Sequence, residues 1–277
     1  MPSPIGFFDS GYGGLTVLKD VLGALPQYDY LYLGDNARAP YGERSSEEIY
    51  AYTRNALEYL FARGCPLVIL ACFTVSAVAL RRLQREWLPA RDPNGVRRIL
   101  GVIAPVVEEI VLAANTKTLG IAATPAMIRS GAFGRELVSR GGREIERIEA
   151  ACPRVVSLIE ADIRDEARLR EQLTACLAPL RAKKPDALLL GCTHYPLVAG
   201  QFRAALGPEV NLLCAGPMVA RSLEIYLQRH RQLAAQISVG GTRAYCTSGD
   251  PKAFRNFAAR VLHGASRIMT VEHWKGV

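Results

Sequence analysis

Two cysteines in this sequence occupy the same kind of place. The run Leu67-Val-Ile-Leu-Ala-Cys72-Phe73-Thr74-Val-Ser76 sets a thiol at the end of an apolar, β-prone segment, with hydroxyls and a helical stretch directly after it. The run Ala187-Leu-Leu-Leu-Gly-Cys192-Thr193-His194-Tyr195-Pro196 repeats the arrangement in the second half and adds an imidazole. Strand ends of open α/β sheets are where ligands bind. The free N–H groups of the helix that follows stabilise a thiolate or a bound carboxylate. A free thiol titrates at about pH 8.5, so a neighbouring imidazole or carboxylate must set whether it waits as base or as acid. His194 is placed to do that for Cys192. Two such thiols facing each other let one remove a proton while the other delivers one from the opposite side. That is stereochemical inversion. The plainer reading of either cysteine is a buried packing residue, and the paired placement argues against it.

Two further loops carry polar groups to strand ends. Phe8-Asp9-Ser10-Gly11-Tyr12-Gly13-Gly14 lets backbone amides approach a small anion and stands a carboxylate at the mouth. It lacks the Gly-Lys-Ser/Thr ending of a phosphate loop and the spacing of a dinucleotide fingerprint, which disfavours nucleotide binding. Asp9 is suited to orient or deprotonate a substrate ammonium, or to assist Cys72; its plainer role is capping the next helix. In Asp35-Asn36-Ala37-Arg38-Ala39-Pro40-Tyr41-Gly42, backbone N–H groups and the Tyr41 phenol can hold a carboxylate, although a plain turn reads similarly.

The elements that must position these loops follow an alternating rhythm of short apolar runs and amphipathic stretches. Ile5 to Phe8, Tyr30 to Leu33 and Leu67 to Ala71 form one series; Ile99 to Ile103, Thr118 to Ala122 and Ala187 to Leu190 form another. This is the pattern of parallel α/β structure. The expected architecture is two pseudo-symmetric parallel-sheet lobes with the active site in the cleft between them. Turn residues in Leu88 to Arg97 mark a boundary. The first lobe is expected over residues 1–97 and 211–277, the second over 98–210. Asn211 to Leu213, Ala244 to Cys246 and a helix from Pro251 to Leu262 would complete the first.

The chain has 277 residues and a formal charge of +8. Its arginines are scattered rather than massed with aromatics, so a nucleic-acid partner is not expected and the basic surface is suited to attracting an anionic substrate. No apolar run approaches the roughly 18 to 20 residues of a membrane span and the start does not read as a signal peptide, so a cytoplasmic protein is expected. Seven unevenly spaced cysteines do not read as a disulfide framework. Cys65, Cys152, Cys176, Cys214 and Cys246 are therefore expected to be structural, and most thiols reduced. The four histidines are isolated, which disfavours a metal centre, and no Gly-x-Ser-x-Gly elbow points to a hydrolase.

Taken together, Asp9-Ser10-Gly11, Pro40-Tyr41-Gly42, Cys72 with Thr74, Thr124 with Ser130-Gly131, Cys152-Pro153 leading to Glu160, Gly191-Cys-Thr-His-Tyr-Pro196 and Thr247-Ser-Gly-Asp250 resemble the glutamate racemases, almost end to end. The resemblance implies a cofactor-independent, metal-free enzyme that interconverts L- and D-glutamate for peptidoglycan, commonly as a homodimer. It implies Cys72 and Cys192 as the acid/base pair, assisted by Asp9 and His194, with Glu160 on the His194 side. Ser10, Pro40, Tyr41, Gly42, Phe73, Thr74, Thr124 and Thr193 fall at the substrate-binding positions. The chain departs from the pattern at Phe73, where the family usually has asparagine, and at Met127, where threonine is usual. Each change removes a hydrogen bond to a charged group, worth about 1.5 to 3 kcal/mol. Two other activities therefore remain open: a two-thiol isomerase of a less polar amino or carboxylic acid, and a catalytically weak descendant that binds a small anion or a protein.

Overall fold

The computed structural model describes residues 3–113, 116–161, 166–262 and 270–275. Two all-parallel sheets organise them. The first has the order β10-β9-β2-β1-β3-β4, with β1 Ile5–Asp9, β2 Tyr30–Gly34, β3 Leu67–Leu70, β4 Arg98–Gly101, β9 Arg243–Thr247 and β10 Val271–His273. The second has the order β6-β5-β7-β8, with β5 Thr118–Ala123, β6 Glu146–Ala151, β7 Ala187–Gly191 and β8 Asn211–Leu213. Parallel strands need helical crossovers, which cover both faces, so the central strands are apolar without alternation. Every residue of β1, β2, β3 and β7 is buried. The two-sheet architecture read from the sequence is the one observed.

Two strands pair across the expected lobe boundaries. Arg98–Gly101 lies beyond residue 97 yet hydrogen-bonds beside β3 in the first sheet, and Asn211–Leu213 extends the second sheet beside β7. A strand-like run carries no mark of which of two similar parallel sheets it joins; pairing is decided by where the chain has already crossed. The expected connector over 88–97 begins as a helical turn, Leu88–Arg91, before the true turn residues.

The largest apolar cluster is continuous through both halves. It joins Phe7, Tyr32 and Ile69 of the first sheet to Leu119, Ile121 and Leu189 of the second, by way of Val106 and Ile110 on the Ile103–Ala113 helix and Val219 and Leu223 on the Ala215–Arg229 helix. The residues that follow β1, β2, β3, β5 and β7 are thereby brought to one junction. No described helix is long and apolar enough to cross a membrane.

Cys152 and Cys176 are joined by a disulfide that ties the end of β6 to the end of the Glu166–Cys176 helix. This corrects the reading of both as ordinary packing thiols: their Cα atoms lie 5.2 Å apart although 24 positions separate them in sequence, a proximity set by helix packing on the sheet edge. Cys65, Cys72, Cys192, Cys214 and Cys246 are free. Thiol titration of the protein denatured without reductant is expected to find those five thiols, and all seven after reduction. Cys176→Ser is expected to lower the free energy of unfolding by about 3 kcal/mol, measured by urea denaturation without reductant.

Candidate active site

Cys72 follows β3 and opens the Phe73–Val78 helix. Its sulfur lies 3.5 Å from the Ser10 hydroxyl. Burial first, and then the charge of Asp9, push the thiol up to about 12, against the opposing hydrogen bonds from Ser10 and the Val75 N–H. At neutral pH Cys72 is held as the protonated thiol in this state of the site.

Cys192 follows β7, and its sulfur stands 3.9 Å from Nδ1 of His194. The other ring nitrogen, Nε2, lies 2.7 Å from Oε1 of Glu160 at the end of the Val155–Glu160 helix. Burial works against a charged ring here, but the hydrogen bonds and charges of Cys192 and Glu160 outweigh it and lift the imidazole to about 10. His194 is therefore cationic across neutral pH, with one N–H for Glu160 and one for the Cys192 sulfur.

Asp9 joins the two halves. Its carboxylate has no solvent contact; Oδ1 accepts the Gly11 N–H at 2.9 Å and Oδ2 accepts the Thr193 hydroxyl at 3.2 Å. Burial raises its pKa, and the His194 charge opposes that rise. A second link runs from Thr16, whose hydroxyl contacts the Thr193 carbonyl at 2.9 Å. A third is the 2.8 Å hydrogen bond between Thr74 and Thr124. Thr124 also caps the Pro125–Ser130 helix, accepting the Met127 N–H. Gly13 is required at this junction because a Cβ there would lie 2.4 Å from both His194 Nδ1 and Thr193 Oγ1.

The sequence-predicted residues thus converge: Asp9, Ser10, Cys72, Thr74, Thr124, Glu160, Cys192, Thr193 and His194 are connected by direct contacts or stand on adjoining strand ends. The Pro40-Tyr41-Gly42 segment reaches Thr124 at Gly42, where a Cβ would meet Thr124 Cβ at 2.8 Å. The Tyr41 phenol is not available to hold a carboxylate as read from the sequence. It donates to Asp35 Oδ2, which also pairs with Arg38 Nε at 2.7 Å, while Asp35 Oδ1 accepts the Ser248 hydroxyl at 2.6 Å. Phe73 and Met127 are each 1% exposed and belong to the large apolar cluster. Sequence reasoning missed Asp35 and Thr16, whose partners Ser248 and Thr193 lie far away in the chain; the only signal was that Asp35 directly follows a β-prone run. Among the described residues no group of three or more His, Cys, Asp or Glu side chains is arranged to hold a metal ion.

The model of the Asp/Glu/hydantoin racemases matches residues 16–222. This chain belongs to that racemase family. A glutamate racemase of Cereibacter sphaeroides is 42% identical over 93% of this chain and 96% of its own length. One of Paracoccus denitrificans is 41% identical over 95% of this chain and 98% of its own. The solved glutamate racemase of Bacillus anthracis superposes with a TM-score of 0.86 at 28% identity, covering 98% of this chain and 97% of that one. The Francisella tularensis glutamate racemase, solved with D-glutamate, superposes with a TM-score of 0.83 at 28% identity, covering 97% of each chain. The two-sheet fold is thus shared with these racemases.

The raised His194 pKa sets a pH dependence. Because the folded value, about 10, lies above the ordinary 6.5, the contribution of His194 to stability is complete below about pH 6.5 and is lost as pH rises towards 10. The difference in unfolding free energy between the wild type and His194→Gln, from urea titrations at each pH, is expected to shrink over that window and to stay level below it.

Proposed function

We propose that this protein interconverts L- and D-glutamate without a cofactor, using Cys72 and Cys192 as acid and base on opposite faces of the substrate α carbon. The observation that carries the reading is the pair of buried thiols on matching strand ends of two sheets, one beside Ser10 and Asp9, the other beside His194 and Glu160. It is further supported by relatives of about 40% identity over nearly the whole chain that are glutamate racemases.

One cysteine, as thiolate, takes the α proton, and the electron pair passes into the adjoining carboxylate. The opposite thiol then returns a proton to the other face, so that thiol and thiolate have exchanged places and the product has inverted configuration. Asp9 assists Cys72, and the His194–Glu160 pair assists Cys192 by holding a positive N–H against the sulfur where negative charge develops. Ser10, Thr74, Thr124, Thr193 and the backbone of Pro40 to Gly42 bind the substrate's carboxylates and ammonium. The packing of Phe73 and Met127 within the core supports glutamate over a less polar substrate, because side chains committed to the core do not widen an apolar pocket wall. The product D-glutamate supplies peptidoglycan synthesis in the cytoplasm, and the working unit is a homodimer.

In deuterated water, NMR of D-glutamate incubated with the protein is expected to show loss of the α-proton signal together with L-glutamate formation. Cys72→Ser and Cys192→Ser are each expected to lower racemisation by at least about 100-fold, as loss of a positioned acid or base does. Absence of exchange by the wild type would refute the assignment; full activity in either variant would remove that thiol from the mechanism.

A further inference from the structure

Asn36 carries a polar group that the site as described does not use. The residue directly follows Asp35 at the end of β2, and its Oδ1 accepts the Thr247 hydroxyl at 2.7 Å. The same hydroxyl accepts the Gly249 N–H at 3.1 Å, which leaves its own proton for Oδ1. Nδ2 is then left buried without a hydrogen-bond partner. Buried donors are almost always satisfied, because an unpaired one keeps its full desolvation cost. This donor lies in the neighbourhood of Glu160. The position a Cβ on Gly11 would occupy lies 3.6 Å from Asn36 Nδ2 and 3.2 Å from Glu160 Oε1. A side chain at residue 11 would crowd both groups, and glycine leaves none.

We propose that Asn36 is a positioning residue that acts through Glu160, its side-chain amide serving as the second donor to the carboxylate that holds His194. Glu160 comes from the second-sheet half and Asn36 from the first, so this contact spans the two halves across Gly11. It completes a chain from Thr247 through Asn36 and Glu160 to His194 and Cys192. With the amide in place, the carboxylate is kept in line with His194 Nε2 at the moment the Cys192 sulfur changes protonation state. The titratable groups facing Glu160 are His194, Tyr12 and Tyr32; Asp250 acts on the same Tyr12, and Asp9 and Cys192 face His194. Asn36 contributes a neutral dipole to this set and adds no charge. The kinetic consequence rests on the racemase reading; the electrostatic consequence does not.

The test is an NMR titration of the His194 imidazole in the ligand-free protein, its signal identified by its loss in His194→Gln. In Asn36→Ala the His194 transition is expected to fall by about one pH unit, since Glu160 is held less firmly against the ring. In a Glu160→Gln background the same substitution is expected to change nothing further, because the group it acts through is gone. Thr247→Val, which leaves Asn36 in place but frees its amide to turn, moves the transition the same way by less and guards against a folding defect in Asn36→Ala. With D-glutamate, Asn36→Ala is expected to lower kcat about tenfold with little change in KM. A His194 transition that stays put in both variants, or that falls equally in the Glu160→Gln background, overturns the proposal. A wild type that does not racemise D-glutamate overturns the racemase reading instead, and the titration still decides the role of Asn36.

Discussion

A carboxylate with no access to water dictates how the two halves of this molecule meet. Asp9 sits on the first sheet, yet one of its oxygens is satisfied by Thr193 from the second. A buried ionised group is tolerated only when hydrogen-bonded and opposed by compensating charge, and His194 from the same second-sheet loop supplies that charge. The loop after β1 must therefore lie against the loop after β7, and Gly13 is the residue that lets backbone approach imidazole closely enough. The thiol pair, the cross-half threonine bonds and the Asp35 network are arranged around that contact.

The same constraint separates the two thiols chemically although their strand-end settings look alike. Burial and the Asp9 carboxylate hold Cys72 protonated, against the hydrogen bond from the Ser10 hydroxyl. Cys192 lies beside a cation backed by Glu160. Holding the cation costs desolvation, and Glu160 offsets it at 2.7 Å. The segment bearing Glu160 begins just after Cys152, so the disulfide to Cys176 anchors the end of the strand from which it departs.

Around these two thiols the remaining polar groups are structural supports with long reach. Asp35 receives Tyr41, Arg38 and Ser248, drawing the loop that ends at Gly42 onto the strand end of β9. Arg38 in turn lies over the rings of Tyr52 and Trp274, 4.4 Å and 5.3 Å from their centroids, which connects the C-terminal strand to the same loop. The Pro40-Tyr41-Gly42 segment is thus held through the Asp35 and Arg38 side chains.

The strand-end thiols, the Asp9 loop, the His194 neighbour and the alternating α/β rhythm were all legible in the sequence, because each is a local property: residue type, apolar run length and the chemistry of the next few positions. Those signals led to two parallel sheets, and the family resemblance located Glu160. What only the tertiary structure decided depends on distances between residues remote in the chain. It assigned β4 and β8 to sheets opposite to those read from the linear order, paired Cys152 with Cys176, joined Ser248 to Asp35, and brought Asn36 into the neighbourhood of Glu160. Strand pairing, disulfide partnership and buried hydrogen bonds are all set by how packed elements share space, which periodicity and local motifs do not encode. The sequence by itself determined which chemical groups stand at the strand ends; the packing of two sheets against each other decided which of them meet.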